Sequence, residues 1–363
     1  MPSDHHPAHD VAPNAAAPNA VALNAVARAL EIDPARTVRD APNGFTWWIA
    51  PGLRQRVQVE AGPPSATPWL RIETPVLHGA DPQAIARLLI ALHYYARGAA
   101  VLHAPDSGNV ALVTRVPLPG PLVEDRAAAL AGTGAIQALL AAWAWGEVRT
   151  QIGKHTSSWR DALPHPELGM DVTPARVLEY RERVLRPQAD ARLGAFADDL
   201  LATTADAIER NGVGFRPHRR PDGRRVAFAV DLNLTLGILE VGLVRGDVDA
   251  HALGVALNLE GNASQARAEA WSHELLRRQL TPGADAWTLG SWTPFPRHDD
   301  RPGFGISHAF FVPLALAEPD MGPEIADATA RLVDLVRTWF DERAPAPITA
   351  PHPHGGARVR LVA

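Results

Sequence analysis

The chain has 363 residues, of which 46% are hydrophobic and 21% charged, with a formal net charge of -5 at pH 7. This balance is ordinary for folded domains and excludes wholesale disorder, and the net acidity argues against a dedicated nucleic-acid binder. With no cysteine in the sequence, disulfides, thiol catalysis and thiolate metal sites are excluded, and the length suggests two or three domains.

In chain order, residues 1–22 are rich in Ala, Pro, Asn and His, repeat Ala-Pro-Asn-Ala and read as a disordered leader. A first unit is expected over 23–153. It opens with a short helix ending near Leu30 and an extended segment from Phe45 to Ala50. Arg54–Glu60 alternates Val57 and Val59 with polar neighbours, the period-2 mark of a half-buried strand, and Trp69–Leu77 is another strand. Asp81 and Pro82 start a helix whose Ile85, Leu88, Leu89 and Leu92 share a face, and Gly98 ends it. Ala99–His103 and Val110–Val116 form a hairpin across Asp106-Ser107-Gly108. A long Ala-rich helix follows from about Pro121 to Ile152, with Ile136, Leu139, Leu140 and Trp143 predicted on its buried face.

Residues 154–186 are rich in Pro and charge and read as a linker, which limited proteolysis would cut. A second, divergent unit is expected over 187–343. It reads as a helix at Pro187–Arg210, extended segments at Arg225–Leu232, Thr235–Val244 and Val248–Leu259, and a helix capped by Asn262 that runs through Leu280. Ala268, Trp271 and Leu275 share one face of that helix. Strands at Ala286–Thr293 and Gly303–Leu316 precede a last helix, Gly322–Arg343, and residues 344–363 read as a disordered tail. The fold class is thus α+β: two similar units, each a twisted antiparallel sheet flanked by helices in the order α-β-β-β-α-β-β-α.

Motifs that would carry chemistry are missing. The sequence has no Gly-x-Gly-x-x-Gly, phosphate loop, His-Glu-x-x-His or Gly-x-Ser-x-Gly. Ser272-His273-Glu274 offers no dyad, because helix neighbours point to different faces. Of the histidines, His5, His6, His9, His352 and His354 lie in the terminal segments, and His78, His93 and His103 flank the first core elements and read as surface or satisfied histidines at element ends rather than a converging site. No catalytic residue, metal site or cofactor is expected. Charged residues are expected to break every apolar stretch short of a membrane span, and Met1–Asp10 shows no secretory pattern, so the expectation is a cytoplasmic protein with no membrane partner. Lys154 is the only lysine, so arginine density reflects a coding bias and carries little functional weight.

Tryptophan carries the strongest site signal. In an extended segment Trp47 and Trp48 must point to opposite faces, so only one can enter the core beneath the helices. The other, with Leu53, Val57 and Trp69 nearby, would form an apolar surface for a peptide or partner. Trp143 and Trp339 lie in amphipathic stripes and read as core.

The segment Phe45-Thr46-Trp47-Trp48 followed by Leu53–Val57 resembles the opening of a family of actinobacterial proteins with a YbjN-like, type III secretion chaperone-like domain. Leu70–Thr74, Ile85–Leu92, Ala135-Ile136-Gln137 and His165-Pro166-Glu167-Leu168-Gly169 continue the resemblance, which covers about residues 43 to 190. It implies a non-enzymatic, peptide-binding, chaperone-like domain with a protein or extended peptide as client, and it allows a homodimer. The alternatives are a structural dimerisation or scaffold protein with Trp faces buried between units, and a His-dependent hydrolase using His165 and His308.

Overall fold

The computed structural model describes residues 16–32, 37–41, 43–50, 53–61, 67–79, 88–89, 92, 99–104, 106–118, 120, 123–151, 200, 202–207, 209–210, 215–219, 225–232, 235–245, 251–281, 287–288, 290–296, 303–312 and 322–343. The expected linker at 154–186 and the tail at 344–363 lie outside the described residues.

The class is α+β: the described residues form two six-stranded antiparallel sheets with helices packed on them. The first sheet contains β1 (Thr37–Ala41), β2 (Gly44–Ala50), β3 (Leu53–Glu60), β4 (Trp69–Leu77), β5 (Ala100–Ala104) and β6 (Asn109–Pro117), ordered β1-β2-β3-β4-β6-β5. The second contains β7 (Phe215–Arg219), β8 (Arg225–Leu232), β9 (Thr235–Arg245), β10 (His251–Ala263), β11 (Gly290–Pro296) and β12 (Phe304–Val312), ordered β11-β12-β10-β9-β8-β7. Counted afresh from β7, the second sheet has the same strand order as the first.

The expected order had three strands before the middle helix, but each sheet has four. The added strands, β1 and β7, are the short outer edges, five residues each. Their sequences, TVRDA and FRPHR, carry no sustained apolar alternation, so periodicity could not reveal them. Pro217 fits β7 because an edge strand need not donate every N–H.

Helix α1 (Ala16–Ala29) begins inside the expected leader. Pro18 sits in its first turn, where no intrahelical donor is lost, and Ala22, Ala25, Val26 and Leu30 are buried. Helix α2 (Val123–Gln151) packs on α1 and on β3, β4 and β6. Its buried stripe is small: Ala127, Ala131, Ala135, Ala138, Ala141 and Ala144, with Leu130. The expected face holds in part: Leu139 and Leu140 are half-buried and pack against the core, the Ile136 side chain lies outside the described residues, and Trp143 is corrected, being 38% exposed. Close approach to the sheet explains the preference for small residues. A Cβ on Gly134 would lie 3.2 Å from Gln55 Oε1 and 3.4 Å from an Ile72 methyl.

A second correction concerns charge. Residues 127–146 of α2 contain no charged side chain, so Val123–Ala144 is long and apolar enough to cross a membrane by length and composition. Here most of that stretch is buried within the first unit.

The β5–β6 hairpin forms as expected, with Gly108 in the left-handed region at φ 62°. Residues 88, 89 and 92 are helical with Leu92 fully buried, as are 200, 202–207 and 209–210, although most of both expected helices lies outside the described residues.

Helix α3 (Gln265–Leu280) begins two residues after β10 and is capped by Ser264, not Asn262. The Ser264 hydroxyl accepts from the Arg267 amide, and Ala268 and Leu275 face inward as expected. Ser264→Ala should therefore cost about 1 kcal/mol in urea denaturation, whereas Asn262→Ala should cost far less through capping. Helix α4 (Gly322–Asp341) packs on α3 and buries Ile325, Leu332, Val336 and Trp339 in the expected register.

Candidate functional site

Trp47 and Trp48 do alternate across β2, opposite Gln55 and Arg54 of β3. Neither forms an exposed surface: Trp47 is 0% and Trp48 7% exposed. Leu53, Val57 and Trp69 are also buried. The five expected site residues are divided between faces. Trp47, Leu53 and Val57 belong to the core cluster beneath the helices, whereas strand alternation places Trp48 and Trp69 on the other face.

Beneath α2, Trp47 anchors a polar network that spans four strands. Its indole N–H donates to Gln55 Oε1 at 3.0 Å. The Gln55 amide donates to the Thr74 hydroxyl at 2.8 Å and to the Gly134 carbonyl at 2.9 Å. Thr74 donates to Gln137 Oε1 at 2.9 Å, and the Gln137 amide donates to the Thr114 hydroxyl at 2.7 Å and the Ile72 carbonyl at 3.3 Å. Both glutamine amides are fully used, which makes burial of these groups affordable and fixes the register of α2 on the sheet.

On the opposite face Trp69 is covered by a cation. The Arg115 guanidinium lies 4.1 Å from the Trp69 ring centre, and its Nε donates to Glu60 at 2.9 Å. Glu60 also meets Arg71 at 3.4 Å, and Arg71 holds Glu73 at 2.7 Å. Trp69 is thereby part of a half-buried ionic lattice rather than an open apolar patch.

Arg115 also marks the seam between the sheets. Its backbone exchanges two hydrogen bonds with Thr288, 3.0 and 2.8 Å long, so the segment leading into β11 pairs with β6 where β5 has ended. Nearby, the Val101 amide of β5 donates to the Ser291 hydroxyl of β11 at 3.2 Å. The inner edges of the two sheets, β5 and β11, thus meet, and α3 packs across β11, β12 and β5.

Two histidines face each other there. His103 of β5 and His273 of α3 have ring centres 5.5 Å apart in an edge-to-face arrangement. His103 is 7% exposed, and its Nε2 is buried without a hydrogen-bond partner. Burial chiefly lowers the pKa of both rings from the ordinary 6.5; the partner histidine lowers His103 further, Arg277 lowers His273, and Glu269 opposes the shift at both. The carboxylate acting on His273 is thus Glu269, four residues earlier on the helix, rather than adjacent Glu274. That i, i+4 spacing was legible in the sequence, but its partner on β5 was not.

His78 bonds instead to Asn109 at 3.2 Å, and His93 and His165 lie outside the described residues. His308 of β12 is enclosed against Trp292, with ring centres 4.9 Å apart, and full burial pushes its pKa down to about 3. Trp292 in turn donates to Gln279 of α3 at 3.1 Å. Among the described residues no group of three or more His, Asp or Glu is arranged to hold a metal ion. No family model, curated protein or solved structure matches the chain.

Proposed function

We propose that this chain is a non-enzymatic, chaperone-like protein of the YbjN-like, type III secretion chaperone-like kind, which captures an extended protein or peptide segment as an added strand on β1. The observation that carries the reading is the state of the outer edges. Among the described residues β1 is the terminal strand of its sheet, paired with β2, and its sequence TVRDA contains no proline. Such an edge presents backbone donors and acceptors to any extended chain. The corresponding edge of the second sheet, β7, contains Pro217, which withholds one N–H and blunts that edge. The shared strand order of the two sheets supports descent of both from one unit, with client binding retained on the first.

Trp48, one strand in from β1, would report the arrival of a client through its fluorescence. The test is suppression of aggregation of a heat-unfolded model protein, followed by light scattering. Alternate amides of a regularly paired antiparallel strand point to opposite edges, so Thr37→Pro and Val38→Pro, in the regular part of β1, should behave differently. One should abolish suppression while leaving the melting temperature near that of the wild type, and the other should destabilise β1–β2 pairing. If the wild type suppresses no aggregation, or neither variant weakens it, client capture at β1 is wrong.

A structural scaffold is favoured by a different observation, the burial of Trp47, Trp48, Leu53, Val57 and Trp69 within the chain itself. On that reading no client changes the Trp48 signal at any concentration.

A further inference from the structure

We propose that His103 and His273 form a proton-sensitive latch across the seam: with both rings neutral α3 stays seated on β5, and protonation of the pair loosens the two sheets from each other while each remains folded. This inference is independent of client binding at β1.

Among the described residues, the polar links across the seam include the two backbone bonds between Arg115 and Thr288 and the bond from Val101 to Ser291, and His103 stands two residues along β5 from Val101. The two rings come from different halves of the chain, His103 from β5 and His273 from α3, so any repulsion between them acts on the junction rather than within one sheet. Edge-to-face packing at 5.5 Å suits neutral imidazoles, whereas two imidazolium rings at that distance repel in a partly desolvated site. The charged groups facing the pair are Glu269, which attracts protons to both rings, and Arg277, which repels them from His273; both stand on α3. On the neighbouring strand β11, Ser291 accepts from the Val101 amide, two residues along β5 from His103, and does not titrate in this range. One carboxylate therefore offsets two imidazolium charges, with Arg277 adding a third positive charge. Proton uptake is delayed below pH 6.5 by burial, so the latch stays closed at neutral pH and opens in mild acid.

The absence of cysteine allows the motion to be read directly. Spin labels on Val21→Cys in α1 and Thr338→Cys in α4, both exposed sites in different halves, report the separation of the halves by pulsed dipolar spectroscopy. The expected result is a longer, broader distance distribution as pH falls from 7.5 to about 4.5, with the far-ultraviolet circular dichroism unchanged. His273→Gln should hold the neutral-pH distance throughout. Two surface changes should move the midpoint in opposite directions by about 0.3 pH unit each, Glu269→Gln to lower pH and Arg277→Gln to higher pH. The latch is refuted by a distance that does not change with pH, by a transition that His273→Gln leaves intact, or by a midpoint that neither surface variant moves. Should His273→Gln fail to fold, the opposed shifts of the two surface variants decide the matter.

Discussion

Replacing Gln55 should destabilise the protein more than most substitutions in the first sheet. Gln55→Leu keeps the volume but strands the Trp47 N–H and removes one bond each from the Thr74 hydroxyl, which keeps Gln137, and from the Gly134 carbonyl, which lies within α2. A buried polar group left without its partner costs about 1–3 kcal/mol and each of the two other lost bonds about 0.5–1.5 kcal/mol, so the loss should reach about 3–4 kcal/mol in urea denaturation. Gln55→Ala should cost about 1–2 kcal/mol more, because a cavity is added to the stranded groups. Trp47→Phe removes the indole donor alone, and a double-mutant cycle with Gln55→Leu should show a coupling of about 1 kcal/mol or more. If Gln55→Leu falls within about 1 kcal/mol of wild type, the network does not hold α2 in place.

The second large effect is acid sensitivity arising at His308. Its folded-state pKa is depressed to about 3 by complete burial, against an ordinary 6.5. Below pH 6.5 the unfolded chain therefore takes up a proton that the folded chain refuses, so stability falls as pH falls and is fully present only above 6.5. The slope is about 1.4 kcal/mol per pH unit, giving a loss on the order of 3 kcal/mol by pH 4 from this residue. His308→Leu should flatten that slope in denaturation curves at pH 7, 5.5 and 4, while the seam variants at His273 leave it largely in place. Equal slopes for wild type and His308→Leu would show that the ring gains access to water or a proton acceptor before unfolding.

The two effects arise from residues of different legibility in the sequence. Strand alternation at Val57 and Val59, the Gly108 turn and the α4 stripe from Ile325 to Trp339 could be read directly, because local periodicity and turn chemistry determined them. The outer strands β1 and β7 could not, since each is five residues long and owes its conformation to one neighbour. Opposite orientation of Trp47 and Trp48 was legible from the geometry of a strand. Burial of the second tryptophan was not, because strand alternation assigns Trp48 to a face and says nothing of what covers that face. Trp143 fails in the opposite sense: it fits an apolar stripe, yet the face of α2 seated on the sheet is filled mainly by alanines, and Trp143 is left exposed. The pairing of His103 with His273 joins residues 170 positions apart, and nothing in local sequence predicts it.

Client capture at β1 is tested most directly by amide hydrogen exchange, with and without an excess of a permanently unfolded polypeptide. Client capture slows exchange at Thr37–Ala41 alone, with no change at Phe215–Arg219. Unchanged exchange at Thr37–Ala41, or protection at β7 in its place, would contradict it.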